Sequence, residues 1–409
     1  MRNALNFALV TTITALVLPN RAEALGFRVT DLATEATARG GAFVATADDP
    51  SAIYHNPAGI TQLDGLNSLL GANIISFQTS VNLDTPSPSF DSNYAPQVVP
   101  HSYATLKPAG SPVAFGLGAY SPFGLAIEFD DSVPFRTLAK KGMIQFATWN
   151  PVVAWQVCDS LSIAAGATIN YSRAMLARGV IVPGDEFQFK GAGVGYGFNI
   201  GLLWQPLPQH SFGITYWSAT DIDYSGHSHL RIPSFDVPTP IGVFHSPQFK
   251  REEDADATIN YPGTLRAGYS FRPTPDWNLE VDIEWTDWDR LNTVTLHQPS
   301  GAVAVPFNYE SSFFYEFGVT RKLPWNLAVS AGYIYSENSV PNESFNPLVP
   351  DSNRHVISAG LAQHSNRCSW AVSYQYAYGP HRDISQGTVA DGDYRFESHA
   401  VSFSLGYSF

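Results

Sequence analysis

Charge is scarce in this chain of 409 residues: Asp, Glu, Lys and Arg together make up 14%, against 44% in the hydrophobic set. That balance excludes a disordered protein. Positive charge is the scarcer sign, 23 Lys and Arg against 36 Asp and Glu, and the net −13 argues against a nucleic-acid partner. Only two Cys are present, which excludes a disulfide scaffold and a multi-Cys zinc site. After the first twenty-odd residues no apolar run reaches the roughly 18 needed for a membrane-spanning helix, so a multi-span helical membrane protein is excluded. A soluble β protein and a membrane β-barrel both survive, because barrel strands hide their hydrophobicity by alternation. Catalytic signatures are missing as well. There is no Gly-rich phosphate loop, metalloprotease helix or nucleophile elbow. Ser398 and His399 are adjacent on a strand and so face opposite ways. His227 and His229 lack a third ligand at useful spacing, and Asp391-Gly392-Asp393 lacks the rest of a calcium loop. No enzyme activity, cofactor or metal is expected.

What is there begins with an address. Arg2 gives a short positive region, Ala4 to Pro19 is mostly apolar, and Ala22-Glu23-Ala24 has the small-x-small form that signal peptidase reads. A retained anchor is the alternative, but the apolar stretch is short for a span. Residues 1–24 are therefore expected to be a cleaved signal peptide, leaving Leu25 at the mature start in a compartment that permits disulfides.

From about residue 66 the chain alternates with period two. Val194, Tyr196, Phe198, Ile200, Leu202 and Trp204 alternate with Gly193, Gly195, Gly197, Asn199 and Gly201; Val401, Phe403, Leu405, Tyr407 and Phe409 alternate with Ser402, Ser404, Gly406 and Ser408. The second face of a soluble sandwich would be charged and wet. Here it is mostly Gly, Ser, Ala and Asn, which suits a crowded interior, and an apolar exterior with aromatics near strand ends is the barrel pattern. Fourteen segments read as strands, near 66–78, 98–106, 111–128, 143–157, 160–173, 188–204, 210–224, 258–271, 277–297, 310–322, 325–335, 354–364, 368–378 and 395–409. Their connections alternate long and short, the arrangement of external loops and periplasmic turns, with the longest loop at 225–257. The expected fold is all-β: a 14-stranded antiparallel transmembrane β-barrel over 66–409. Cys158 and Cys368 then fall on periplasmic turns on nearly opposite sides of the ring, too far apart for a disulfide.

Residues 25–65 do not alternate. Asp31 can cap a short helix through about Ala38 that Gly40-Gly41 ends. Asp49-Pro50 opens a second, through about His55, which Pro57 stops. Low charge and many small residues fit a small helical plug in the lumen; an extension lying in the periplasm is the other reading.

Within this stretch, Ala38-Arg39-Gly40-Gly41-Ala42 and Ala47-Asp48-Asp49-Pro50-Ser51-Ala52-Ile53-Tyr54-His55-Asn56-Pro57-Ala58-Gly59-Ile60 resemble the N-terminal hatch of FadL-type outer-membrane transporters of long-chain fatty acids and hydrocarbons. The likeness continues through Tyr120-Ser121-Pro122-Phe123-Gly124-Leu125, Tyr261-Pro262-Gly263-Thr264-Leu265-Arg266, Trp285-Thr286-Asp287-Trp288, Gly332-Tyr333-Ile334-Tyr335, Pro350-Asp351 and Arg354-His355. It implies a 14-stranded barrel plugged by a hatch, in the outer membrane of a Gram-negative bacterium. It also implies passive, ligand-gated uptake: a hydrophobic molecule is captured by external loops, bound beside the hatch and released sideways through a kink in the third strand. Asn56, Pro57 and Ala58, with Ser121, Pro122, Phe123 and Gly124, become the hatch and gate, and Asn56-Pro57-Ala58 is expected to pack on the kinked strand. Leu25 and Phe27 become ligand contacts. A dry, aromatic-lined pocket favours such solutes where lipopolysaccharide and a wet pore do not. Outer-membrane lipids, lipopolysaccharide and the barrel assembly machinery are the expected partners of a monomer.

A fatty-acid carboxylate in an apolar pocket needs a cation, preferably Arg. Arg266 lies on an inward face and is one candidate, although pairing with Glu280, Asp282 or Glu284 on the next strand is the competing use. Arg136 in the second external loop is another. A structural or adhesive barrel without transport activity is the rival function, and an apolar pocket beside the hatch separates the two.

Overall fold

In the computed structural model, which describes residues 27–30, 32–85, 87–93, 96–240 and 242–409, the alternation closes into a ring. The fourteen strands are β1 (Gly65–Leu83), β2 (Gln97–Lys107), β3 (Val113–Tyr120 and Gly124–Glu128), β4 (Lys141–Cys158), β5 (Leu161–Arg178), β6 (Glu186–Leu207), β7 (His210–Trp217 and Thr220–Ile232), β8 (Phe249–Tyr261 and Thr264–Thr274), β9 (Trp277–Thr286), β10 (Ser312–Leu323), β11 (Leu327–Ser336), β12 (Arg354–His364), β13 (Cys368–Ile384) and β14 (Gly392–Ser408). Each pairs antiparallel with its neighbours. β1 closes the barrel on β14, from Asn67 opposite Ser408 to Leu83 opposite Gly392. The expected signal peptide, residues 1–24, together with Leu25 and Asp31, lies outside the described residues.

The two faces sort as period two demands. On β6, Tyr196 is 73% exposed on the outside while Asn199 is fully buried inside. An exterior of Val, Ile, Leu, Phe and Trp is what a bilayer accommodates. Cys158 and Cys368 are both exposed and unpaired, as their places on separate turns require.

Two expectations about the strands need correction. The longest loop, 225–257, is mostly wall: β7 runs on to Ile232 and β8 begins at Phe249, with a two-stranded ribbon (Phe235–Thr239 with Gly242–Ser246) between them. His227 and His229 are thus strand residues, and His227 Nδ1 meets Asp254 of β8 at 3.1 Å. The segment 277–297 is not one strand. β9 ends at Thr286, where Asp287 N donates to Gly263 O at 3.0 Å and turns the chain into a 3-10 turn, Trp288–Arg290. The ribbon that follows pairs Thr293–Leu296 with Val303–Pro306.

The N-terminal segment folds as α1 (Thr34–Ala38), α2 (Ala52–His55) and a 3-10 helix, Pro57–Gln62. α2 starts later than Asp49-Pro50 suggests, because the Asp49 carboxylate takes Ser51 N (2.7 Å) and Ser51 Oγ (2.5 Å) in a preceding turn. Pro57 does not end helical structure. It opens the 3-10 helix, with Asn56 Oδ1 accepting from Ala58 N at 3.2 Å. This segment lies inside the ring: α1 packs on β11 to β14 and the 3-10 helix on β4 to β6. The contacts need bare backbone on the wall. A Cβ on Gly332 would collide with Gly40, and one on Gly201 with Asn56 and Pro57.

Candidate functional site

β9 presents Glu280, Asp282 and Glu284 inward, and all three are buried. They anchor the N-terminal segment. Asp282 Oδ2 accepts from Phe43 N and Val44 N, each at 2.8 Å; Glu280 Oε1 accepts from Ala45 N at 2.7 Å and Thr46 N at 3.1 Å. Glu284 pairs with both Arg28 and Arg266. The same two guanidiniums donate to Tyr54 Oη, at 2.9 and 2.7 Å. Arg266 is therefore held by the carboxylate across the strand pair.

Arg136 is also engaged. Its Nη2 meets Asp131 at 3.0 Å and its Nη1 meets Asp185 at 2.9 Å, tying loop 129–140 to loop 179–185. Burial alone would raise the Asp131 carboxyl, but hydrogen bonds from Lys140, Gly184 and Arg136 outweigh it and hold that group at about 2. Asp185 is lowered in the same way, burial being overcome by the backbone N–H groups of Ile181, Val180 and Val182 and by Arg136.

The third strand breaks where Pro122 cannot donate to a ladder. The partner of that break is not the Asn56-Pro57-Ala58 triplet. Asn56 Nδ2 donates to Val44 O (2.8 Å) and to Leu202 O on β6 (2.9 Å), and Pro57 sits over Gly201 of the same strand. Instead Phe27, Arg28 and Val29 run against the break as a short antiparallel strand. Val29 N donates to Pro122 O at 3.0 Å, Gly124 N donates to Phe27 O at 2.9 Å, and Arg28 faces Phe123. The triplet was expected there because it carries the recognisable motif; the backbone shape of the break selects the extended residues.

The break leaves an opening in the wall. β2 and β3 pair only from Ser102 opposite Ala119 to Leu106 opposite Phe115. The second segment of β3 pairs with β4 alone, and among the described residues no ladder joins it to residues 97–101 of β2. Above the gap, Asn93 N donates to Glu128 O at 2.8 Å. A cavity of about 380 Å³ meets this gap. Phe27, Ile75, Phe77, Ser121, Phe123, Gly124, Leu125, Ile144 and Phe146 line it, and so do the β2 residues Val98 and Pro100 beside the gap; Val98 is 66% exposed. Phe27 is 5% exposed and closes the inner end, edge-on to Phe123 (6.2 Å), Tyr261 (5.6 Å) and Trp288 (5.0 Å).

Sequence reasoning missed Trp288, Tyr261 and Arg354 as residues of this region. Alternation could have found Arg354. With His355, Ile357 and Leu361 on the apolar outer face of β12, Arg354 must share the inner face with Val356. Trp288 gave no such signal, because it turns inward only after β9 has ended.

A closed fourteen-stranded ring, apolar outside, filled by its own N-terminal segment and holding an apolar cavity at a break in the wall, defines an outer-membrane transport barrel. The family model "Outer membrane protein transport protein (OMPP1/FadL/TodX)" matches residues 15–409, and the chain belongs to that family. It is 22% identical to the long-chain fatty acid transport protein of Escherichia coli K12, over 97% of this chain and 96% of that one. Among solved structures it resembles a Pseudomonas aeruginosa FadL homologue (18% identity, 94% of this chain and 100% of that one, TM-score 0.80). It also resembles the Pseudomonas putida toluene transporter TodX (16%, 95% and 100%, TM-score 0.73).

Proposed function

We propose that this protein takes up long-chain fatty acids or other hydrophobic compounds passively across the outer membrane. External loops capture the ligand, the cavity beside Phe27 holds it, and the gap between β2 and β3 releases it sideways into the bilayer. The N-terminal segment 25–65 acts as the hatch, gating through Phe27–Val29 at Ser121–Gly124, while Asn56-Pro57-Ala58 fixes the segment to β6. The outward apolar band meets lipid and lipopolysaccharide. The observation that carries this reading is the cavity itself, whose lining passes from buried Phe27 to exposed Val98 through a stretch of wall with no ladder. Most of that lining is apolar, which favours a hydrophobic solute over water along the path. An adhesive barrel has no need of such a path.

The test is whole-cell uptake of radiolabelled oleate and toluene in a host stripped of its own transporters of this type. Accumulation above the empty vector, reduced when Val98 and Pro100 are replaced by Asp, supports the reading. Equal accumulation with and without the protein sinks it.

A further inference from the structure

The two arginines that sequence reasoning offers to a carboxylate are occupied, Arg266 by Glu284 and Arg136 by Asp131 and Asp185. Arg28 borders the cavity but is likewise held by Glu284 and Tyr54. Arg354 is different. It opens β12, lines the cavity, and lays its guanidinium over the Phe396 ring, 3.7 Å from the centroid. Its Nη2 meets Asp351 at 3.0 Å, but its Nε is buried and finds no acceptor among the described residues. A buried guanidinium N–H without an acceptor is costly. Two other buried polar atoms on the same side of the cavity also lack partners, Thr79 Oγ1 and Gln375 Oε1. Arg382 adds a second guanidinium, which donates to the Asp351 backbone carbonyl and has Glu343 as a further carboxylate near it. The next inward residues along these strands, Phe77, Val356 and Ala377, are apolar.

We infer that Arg354 reads the head group of the ligand, and that the cavity takes amphiphiles with a carboxylate at one end in preference to neutral hydrocarbons. This rests on the cavity being the ligand site. A carboxylate satisfies Nε with a charge-assisted hydrogen bond while the chain lies along the apolar lining. Phe396 fixes the plane of the guanidinium, and Asp351 holds its far edge. An alkane of the same length fills the apolar part equally well but leaves the cation unanswered, and an alcohol offers Nε only a neutral acceptor in place of a charged one. A site built to bond a polar group rejects ligands that lack it, which is discrimination that apolar walls cannot supply.

The experiment uses the full barrel in nanodiscs, titrated with hexadecanoic acid and with 1-hexadecanol while intrinsic Trp fluorescence reports binding. Wild type is expected to bind the acid at least about tenfold more tightly than the alcohol. Arg354→Gln should erase that preference, chiefly by weakening acid binding; Arg354→Lys should keep most of it. Heat-modifiable gel mobility confirms that each variant is folded. Equal affinity for acid and alcohol in the wild type overturns the inference without any variant, and so does a preference that survives in folded Arg354→Gln. Binding of neither ligand to wild type is a separate result: it removes the ligand site itself, and the inference with it.

Discussion

The wall of this barrel breaks twice at a proline followed closely by glycine, with opposite outcomes. At Ser121-Pro122-Phe123-Gly124 on β3 the neighbouring strand stays away and a gap remains. At Tyr261-Pro262-Gly263 on β8 the wall is sealed. Asp287 N donates to Gly263 O, Trp288 turns inward and is fully buried, and the ribbon 293–306 bonds to β8 through Asp256 and His297. The facing strand β7 is itself interrupted at Ser218-Ala219, and it leans against glycines of β6: a Cβ on Gly193 would collide with the Asp223 carbonyl. Proline determines where the ladder fails. Whether the failure opens the wall depends on whether the neighbour can follow the displaced backbone, and β2, with Val98, Pro100 and His101 at that height, does not. Phe27 and Arg28 touch both places, since Phe27 packs on Phe123 and Tyr261 while Arg28 pairs along β3 and bonds to β9.

That bridge gives the largest expected effect. Glu284→Ala leaves the guanidiniums of Arg28 and Arg266 buried without their carboxylate, a loss of about 3–5 kcal/mol. The denaturant midpoint of the folded barrel should fall accordingly, and a midpoint equal to wild type would show that the bridge is dispensable. Phe27→Ala comes next. Removing a packed aromatic costs about 3 kcal/mol or somewhat more. Because Phe27 closes the cavity, uptake of a hydrophobic ligand should drop several-fold at normal expression. Undiminished uptake would detach the cavity from transport.

The two breaks also show where the sequence could be read and where it could not. The strand count and the inner and outer faces were legible because a half-buried wall writes period two into every strand. Strand ends at the external side were not, since β7 and β8 continue through 225–232 and 249–257 with His227, Arg231, Glu252, Asp254 and Asp256 outside, and such a wall looks like a polar loop. The break at Pro122 was legible, but Pro262 was read inside one strand, 258–271, and that its break is sealed could not be read at all, because the glycine run of β6 and the turn at Trp288 act only once the ring has closed. The candidate cations show the same division. Arg266 announced its direction through alternation and its partner through the acidic face of β9. The isolation of Arg354 depends on loop 337–353 folding Asp351 beside it.

A glycine pair tests the sealed and open breaks directly. Gly193→Ala forces a methyl group into the Asp223 carbonyl, and a backbone atom cannot swing away. We expect a loss of about 1–3 kcal/mol, read from the same denaturant midpoint. Gly124→Ala, at the open break, places its methyl group 3.4 Å from Val29 Cγ2, an ordinary contact. Its cost should stay within about 0.5 kcal/mol. Equal losses at the two sites would mean that both breaks are packed alike.

The smallest effect concerns what roofs each break. Loop 129–140 follows directly from β3 and is tied to loop 179–185 by carboxylates: Asp131 Oδ2 accepts from Gly184 N at 2.9 Å, and Asp185 meets Arg136 at 2.9 Å. The ribbon over β8 is held at Asp256 and His297 by reciprocal backbone bonds of 3.1 and 2.8 Å, which do not titrate. Asp131 is at about 2 when folded, below its ordinary value of 3.8. A lowered carboxyl contributes its full stabilisation above the unfolded value and loses it as pH falls through the folded one. The tie over the open break should therefore hold at neutral pH and down to about pH 4, then loosen progressively toward pH 2, while the ribbon keeps its place. Spin labels in a cysteine-free background, one pair across loops 129–140 and 179–185 and another across the ribbon and β8, report the two distances at pH 7, 4 and 2.5. Broadening confined to the first pair at the lowest pH is the expected outcome. Broadening at both, or at the ribbon alone, would mean that the open break is not roofed by these ion pairs, and that its acid sensitivity is no different from that of the sealed one.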